Sequence, residues 1–261
     1  GGISGLGAAY ALSNTYQVTL FEAENRLGGH ARTVFAGKNG NQAVDTGFIV
    51  FNYPNYPELS QLFSQLNVPI AKSDMSFGAS LKGGTIEYAL RNFDAIFAQR
   101  KNVLNPRFVK MVWDINRFNT IGLTVADDES LTIGQFLQRL KTGDWFRDYY
   151  LLPLSGAIWS TPTEKILDFP AYSMLQFFKN HALLSRSGQH QWYTVKGGSR
   201  EYVNRLEKVL SQKRVEIRVK TPVASVTRNQ TGVVVKTYSC EPQTFDEVVF
   251  ATHSDDTLCL L

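Results

Sequence analysis

The chain has 261 residues, 43% hydrophobic and 19% charged, enough for one large domain or two modest ones with a real apolar core. That composition excludes a disordered tail, a coiled coil and a collagen-like fibre. Lysine and arginine total 27 against 23 acidic residues, a formal charge of +4, and no Lys/Arg block forms the stripe expected of a nucleic-acid binder.

The first thirteen residues begin with small side chains, Gly1-Gly2-Ile3-Ser4-Gly5, and pass into helix formers, the pattern of a tight turn feeding a helix. Val18-Thr19-Leu20-Phe21 then reads as a short strand ending at Glu22. This is the second half of a strand–turn–helix–strand unit whose helix N-terminus receives a pyrophosphate. Glycines are needed there because a Cβ would keep backbone N–H groups away from the phosphate oxygens. Gly2 and Gly5 fit the second and third glycines of G-x-G-x-x-G, with Ile3 and Ser4 between them. Glu22 stands 20 residues beyond Gly2, where an acid binds ribose hydroxyls. The opening strand and first glycine of such a unit would precede Gly1, so the chain is expected to be roughly the first two-thirds of a larger protein. Alone it is expected to bind its cofactor poorly.

Two further segments follow: Glu22-Ala23-Glu24-Asn25-Arg26-Leu27-Gly28-Gly29-His30-Ala31-Arg32-Thr33, and Val44-Asp45-Thr46-Gly47-Phe48-Ile49. Together with the glycine-rich start they resemble the FAD enzymes of the amine oxidase and phytoene desaturase superfamily. There a Glu-Ala pair ends the second strand, R-x-G-G follows, and a D-x-G stretch passes beside the flavin. Ala157-Ile158-Trp159-Ser160, Asn180-His181 and Gly197-Gly198-Ser199-Arg200 are similar to a bacterial branch of that superfamily. The resemblance departs from classical amine oxidases at Glu24 and His30, where those enzymes carry arginines that approach the phosphates. Arg26 or Arg32 is expected to supply the missing charge.

From about Pro69 to Trp192 the pattern turns helical. Phe108, Met111, Val112, Ile115 and Phe118 recur at helical spacing within Pro106–Asn119, an apolar stripe on one face. Leu131–Leu137 begins a second helix, with Ser130 as the expected cap after Asp127-Asp128-Glu129. Tyr172–Leu184 is a third. Strands return after Trp192. Ser199 is the expected cap of a helix Arg200–Leu210, and Val215–Val219 and Val223–Thr227 alternate. Val233–Val235 pairs with one of these across Asn229–Gly232, and Phe245–Thr252 reads as a buried strand. The resemblance puts the valine of Pro222-Val223 against the adenine.

Four histidines are scattered at spacings that suit no metal, so no metal site is expected, and no serine sits in a nucleophile elbow. His30 is expected near the cofactor and His253 in a structural role. Tyr53, Pro54, Tyr56 and Pro57 form an aromatic loop after the flavin-facing strand. In amine oxidases a lysine near the flavin comes from beyond the position of Leu261, so no catalytic residue is assigned.

The expected fold class is α/β. A Rossmann-like FAD-binding domain, residues 1–68 and 193–261, carries an inserted, mainly helical substrate domain, 69–192. The expected cofactor is FAD, bound by Gly2, Ile3, Ser4, Gly5, Glu22, Ala23, Arg26, Gly28, Gly29, His30, Arg32, Thr33, Gly47, Phe48, Ile49 and Val223. The expected reaction is hydride transfer from an apolar organic substrate to flavin, with reoxidation by oxygen or another acceptor. The alternatives are a flavin-dependent isomerase or desaturase of lipids, and a non-redox lipid carrier on the same fold. The phosphate cradle argues against the carrier. The expected partner is a small molecule, lipid-like in the apolar reading, and no nucleic acid. Two cysteines without a CxxC pair suit a reducing compartment, so a cytoplasmic location is expected, with peripheral membrane contact. No secretory leader is recognised, and the longest apolar run, near Leu151–Trp159, is broken by Pro153, Ser155 and Gly156.

Overall fold

The computed structural model describes residues 1–159, 162–184 and 190–261; Ser160 lies outside the described residues. The chain divides into two units, one of residues 1–73 with 192–261 and the other of residues 74–191.

Small residues close the first turn of α1 (Ile3–Leu12), which starts at Gly2 and leads to strand β1 (Thr19–Phe21). Strands β2 (Thr33–Ala36) and β3 (Gln42–Asp45) form an antiparallel hairpin that sets Thr33 opposite Asp45. Helix α2 (Pro57–Gln65) opens on a proline, whose missing N–H is no loss at a first helical position. Strand β4 (Ile70–Ser73) ends this stretch.

The second unit begins with the hairpin of β5 (Gly78–Leu81) and β6 (Ile86–Ala89). A short helix α3 (Phe93–Ile96), capped by the Asn92 side chain, and a 3₁₀ turn at Arg100–Leu104 lead into α4 (Pro106–Val125). There the Asn105 Oδ1 accepts from the amides of Arg107 and Phe108, two donors that would otherwise be orphaned at the helix start. Helices α5 (Ile133–Leu140) and α6 (Asp144–Phe146) follow. A wider π turn at Arg147–Leu151 runs into α7 (Leu152–Trp159), where it accommodates Pro153 in a continuous helical path. Helices α8 (Thr163–Ile166) and α9 (Ala171–Asn180) complete the unit. Its core is aromatic: the fully buried Phe118 ring meets Phe136, Phe146, Tyr150 and Phe178 at centroid distances of 6.1, 5.5, 6.4 and 5.9 Å. The one buried carboxylate in α4, Asp114, accepts from Lys110 Nζ at 2.8 Å and from the Gly143 amide at 2.9 Å, so its charge is met on both sides.

The chain returns through β7 (Trp192–Val195), antiparallel to β4 with Ser73 opposite Trp192. Helix α10 (Arg200–Gln212) packs on α1, and β8 (Glu216–Arg218) lies parallel to β1. Strands β9 (Val223–Asn229), β10 (Gly232–Thr237) and β11 (Gln243–Phe245) make an antiparallel sheet ordered β11–β10–β9. A seven-residue helix, α11 (Ser254–Leu260), follows. Leu6, Phe51, Phe63, Tyr202, Val203 and Leu206 centre the core of this unit.

Several local expectations shift. Helix α5 is capped by Thr132 and not by Ser130: Thr132 and Gln135 form a reciprocal capping box, while the Ser130 hydroxyl donates to Asp128. The start is displaced because Leu131 and Ile133 bond to Ala171 and Phe169, holding the chain extended two residues longer. Helix α9 ends at Asn180, short of Leu184, and Ala182 takes φ +55°. The segment after Phe245 is extended but joins no ladder among the described residues; it packs its side chains instead, Val248 and Phe250 on the β9–β10 valines. Ile70–Ser73, read as part of the helical region, is a strand of the first unit. Among the described residues no helix is long and apolar enough to cross a membrane. Cys240 and Cys259 are exposed, free thiols.

Candidate functional site: a glycine-lined seam

The site grows from the N-terminus of α1. The amides of Ile3, Ser4 and Gly5 lie in its first turn, where a helix has no internal acceptor for them. Ile3 and Ser4 are exposed. Gly5 is buried, and a Cβ there would already touch Ala251 and Leu20 at 3.4 Å, so the residue lets helix and strand approach closely.

The loop after β1 folds back on this helix start. Gly28 donates its N–H to the Gly1 carbonyl at 2.8 Å and bridges Gly2 in parallel fashion. Gly28 and Gly29 take φ values of +109° and +54°, a region that favours glycine. A methyl on Gly29 would come 3.0 Å from the Gly2 Cα. The D-x-G stretch lands on the same loop: Phe48 donates to the His30 carbonyl at 3.2 Å, and a Cβ on Gly47 would overlap that carbonyl. Three segments far apart in sequence thus meet along a seam that excludes side chains.

Glu22 ends β1 with its side chain 13% exposed. Its Oε1 accepts from the Glu24 amide at 2.8 Å and its Oε2 lies 2.7 Å from the Gly1 amino group. Burial opposes ionisation, but the hydrogen bonds Glu22 accepts from the Gly1 nitrogen and the amides of Glu24 and Ala23 outweigh it and the carboxyl pKa is lowered. Ala23 itself is exposed. Beside Glu22 runs the approach to β9, with the Thr221 amide on the Glu22 carbonyl at 2.9 Å, and Val223 follows half-buried.

The two arginines part company. Arg26 spends its guanidinium on the loop itself, donating to the carbonyls of Gly29 at 3.1 Å and Leu27 at 3.4 Å. Arg32 is exposed, and among the described residues its side chain has no hydrogen bond or ion pair. His30 stacks on His253, rings 5.7 Å apart and 9° from parallel, joining the glycine loop to the chain before α11. His253, Asp255 and Asp256 hold ligand atoms within 4.8 Å of one another, all exposed; carboxylates in a first helical turn are ordinary partners of the helix dipole. Phe48 sits edge-on to Tyr202 at 6.1 Å, and exposed Ile49 receives the Thr194 hydroxyl on its carbonyl at 2.8 Å.

One residue of the motif does more than its pattern suggested. Ser199 does not cap α10; the Asp45 carboxylate does, accepting the Ser199 amide at 2.9 and 3.0 Å and its hydroxyl at 2.8 Å. Thr33 completes the arrangement, donating to Asp45 at 2.6 Å and accepting from the Arg200 amide at 3.1 Å. Gly198, at φ +89°, leaves the room Thr33 needs: a Cβ there would press on the threonine hydroxyl at 2.6 Å. The sequence signal was an acid preceding x-Gly and a Gly-Gly-Ser helix start, but nothing local couples them.

Solved structures share this fold. A candidate protoporphyrinogen oxidase from Exiguobacterium sp. 255-15 superimposes with TM-score 0.65 at 20% identity, over 100% of this chain and 60% of its own. Putrescine oxidase bound to putrescine matches with TM-score 0.63 at 18% identity, over 92% of this chain and 54% of its own. Cyclohexylamine oxidase from Brevibacterium oxydans IH-35A gives 0.62 at 17%, over 93% and 54%. The chain therefore spans little more than half the length of these proteins. No curated protein matches it in sequence. The profile of the flavin-containing amine oxidoreductases, however, aligns with residues 3–256, which include Gly5, Glu22, both glycines of the loop and Gly47, and by that match the chain belongs to the flavin-containing amine oxidoreductase family.

Proposed function

We propose that the first unit is a Rossmann-like FAD-binding domain and that the protein to which this chain belongs is a flavin-dependent oxidoreductase acting on an apolar organic substrate. The observation that carries the reading is the seam where a Cβ on Gly28 or Gly47 would run into a backbone carbonyl and one on Gly29 would crowd the Gly2 Cα, next to free helix amides and an acid. A dinucleotide needs that combination. In this reading the amides of Ile3, Ser4 and Gly5 donate to the pyrophosphate, and Glu22, ionised, accepts from ribose hydroxyls. Arg32 brings the positive charge to the phosphates that Arg26 has spent on its own loop. Thr33 holds the helix α10 start in place and reaches the cofactor only through that positioning. The Val223 backbone lies along the adenine, and Phe48–Ile49 pass the ring system. Bound there, FAD would accept a hydride from substrate. The mainly helical unit 74–191 contributes substrate recognition, and its many aromatic side chains support an apolar substrate.

The test is FAD binding by the folded chain, read by flavin fluorescence and visible absorbance. FAD should bind, weakly, and Arg32→Ala and Glu22→Gln should each weaken it about tenfold, the loss of a charged hydrogen bond, with circular dichroism unchanged. A folded chain whose flavin signal never changes, or variants that bind as well as the parent, would overturn the assignment.

A further inference from the structure

Helix α4 carries two faces at helical spacing. One buries Phe108, Met111, Phe118 and Gly122. The other presents Pro106, Val109, Lys110, Trp113, Arg117 and Ile121, stepped by three and four residues. Two of these and two residues just before the helix are apolar and open to solvent: Trp113 is 67% exposed and Val109 44%, Leu104 88% and Val103 51%. With Pro106 and Lys110 they line an open groove of about 660 Å³. Singly exposed apolar residues are ordinary, but a contiguous patch that includes a tryptophan is a docking surface.

The charge says what docks. Residues 91–117 hold six cations (Arg91, Arg100, Lys101, Arg107, Lys110 and Arg117) against Asp94 and Asp114, a net of +4, while the other 234 residues carry 21 charges of each sign. The stretch of sequence that carries this patch is therefore the basic part of the chain. Arg91 pairs with Asp74, Arg100 with Asp94 and Lys110 with Asp114, whereas Lys101 and Arg107, both exposed, form no ion pair among the described residues. A second copy placed symmetrically on this face would set the unpaired Lys101 and Arg107 against their own copies, which opposes self-association. We propose that this face docks on an anionic lipid bilayer, with Leu104, Val109 and Trp113 entering the interface and Lys101 and Arg107 meeting headgroups. A helix lying in the bilayer plane needs this composition: apolar residues and a tryptophan between cations whose stems extend to the headgroups. The proposal stands on this unit alone and is independent of the cofactor reading.

Flotation of the purified chain tests it, with vesicles of phosphatidylcholine alone or mixed with phosphatidylglycerol. The chain should float with the mixed vesicles only, release in high salt, and show a blue shift of tryptophan emission that Trp113→Ser removes. Lys101→Ala and Arg107→Ala should each weaken partitioning about fivefold, the worth of one cation at an anionic surface. These side chains are exposed, so melting temperatures should not move, and equal melting keeps the comparison valid. Failure to float with anionic vesicles, flotation that ignores both charge variants, or a dimer in sedimentation that Leu104→Ser dissolves would each overturn the proposal.

Discussion

The two units hold themselves together by different means. In residues 74–191 the organising contacts are large rings: Phe108, Phe118, Phe136, Phe146 and Phe178 are all fully buried around α4. In the other unit the defining contacts are backbone against backbone, made where glycines let segments close on one another, with a carboxylate and two hydroxyls tying the start of α10. A packed aromatic core tolerates change at its rim but pays heavily for a cavity. A glycine seam behaves the other way: adding one carbon is the damaging change, and its cost falls on geometry before it falls on stability.

That contrast can be broken at either end. The largest expected effect is Phe118→Ala, a loss of about 3–5 kcal/mol from a cavity in the aromatic core. Hydrogen exchange should show it confined to 74–191, and equal loosening of α1 and α10 would undo the distinction between units. Next comes Gly47→Ala, expected to cost about 1–3 kcal/mol through overpacking against the His30 carbonyl and to lower FAD affinity by more than Phe118→Ala does. Urea denaturation gives the first quantity and flavin titration the second. Asp45→Ala should cost about 2 kcal/mol by uncapping α10, seen as faster amide exchange at Ser199 and Arg200. Thr132→Ala should cost about 1 kcal/mol, and Ser130→Ala a few tenths at most, since only the former faces the α5 amides. The smallest effect at neutral pH is ionic. Burial and the nearby Asp45 carboxylate push the Tyr202 phenol up to about 12, so the folded state prefers its neutral form. Its contribution is complete below pH 10 and is lost as pH rises from 10 to about 12. Burial raises Tyr88 and Tyr150 as well. The phenolate absorbance of Tyr88, Tyr150 and Tyr202, read as the difference from their Phe variants, should therefore appear only as ellipticity collapses, and any of these three titrating near pH 10 in an intact fold would contradict this.

What could be read from sequence follows the range of the interaction. The α1 start, the positive-φ glycines and the β9–β10 hairpin across Asn229–Gly232 are encoded within a few residues, and periodicity exposed the buried stripe of α4. The opposite stripe, with Val109 and Trp113, has the same spacing but faces solvent, and spacing alone does not say which face is buried. The Asp45 cap lies 154 residues from Ser199, so a local rule assigned that role to the serine instead. The choice between Ser130 and Thr132 turned on strand-like bonds to Phe169 and Ala171, again a distant partner. Val248 to Thr252 has a strand's composition, but composition does not supply a neighbouring edge.

The pairing of β4 with β7 has a topological consequence. Ser73 and Trp192 are register partners, so the 118 residues between them occupy the place of a hairpin turn. Closing so long a loop costs little more than closing a short one, because the entropy grows only as the logarithm of length. Whatever is written between those two strands can be lengthened, shortened or exchanged while the first unit keeps its own register and its glycine seam.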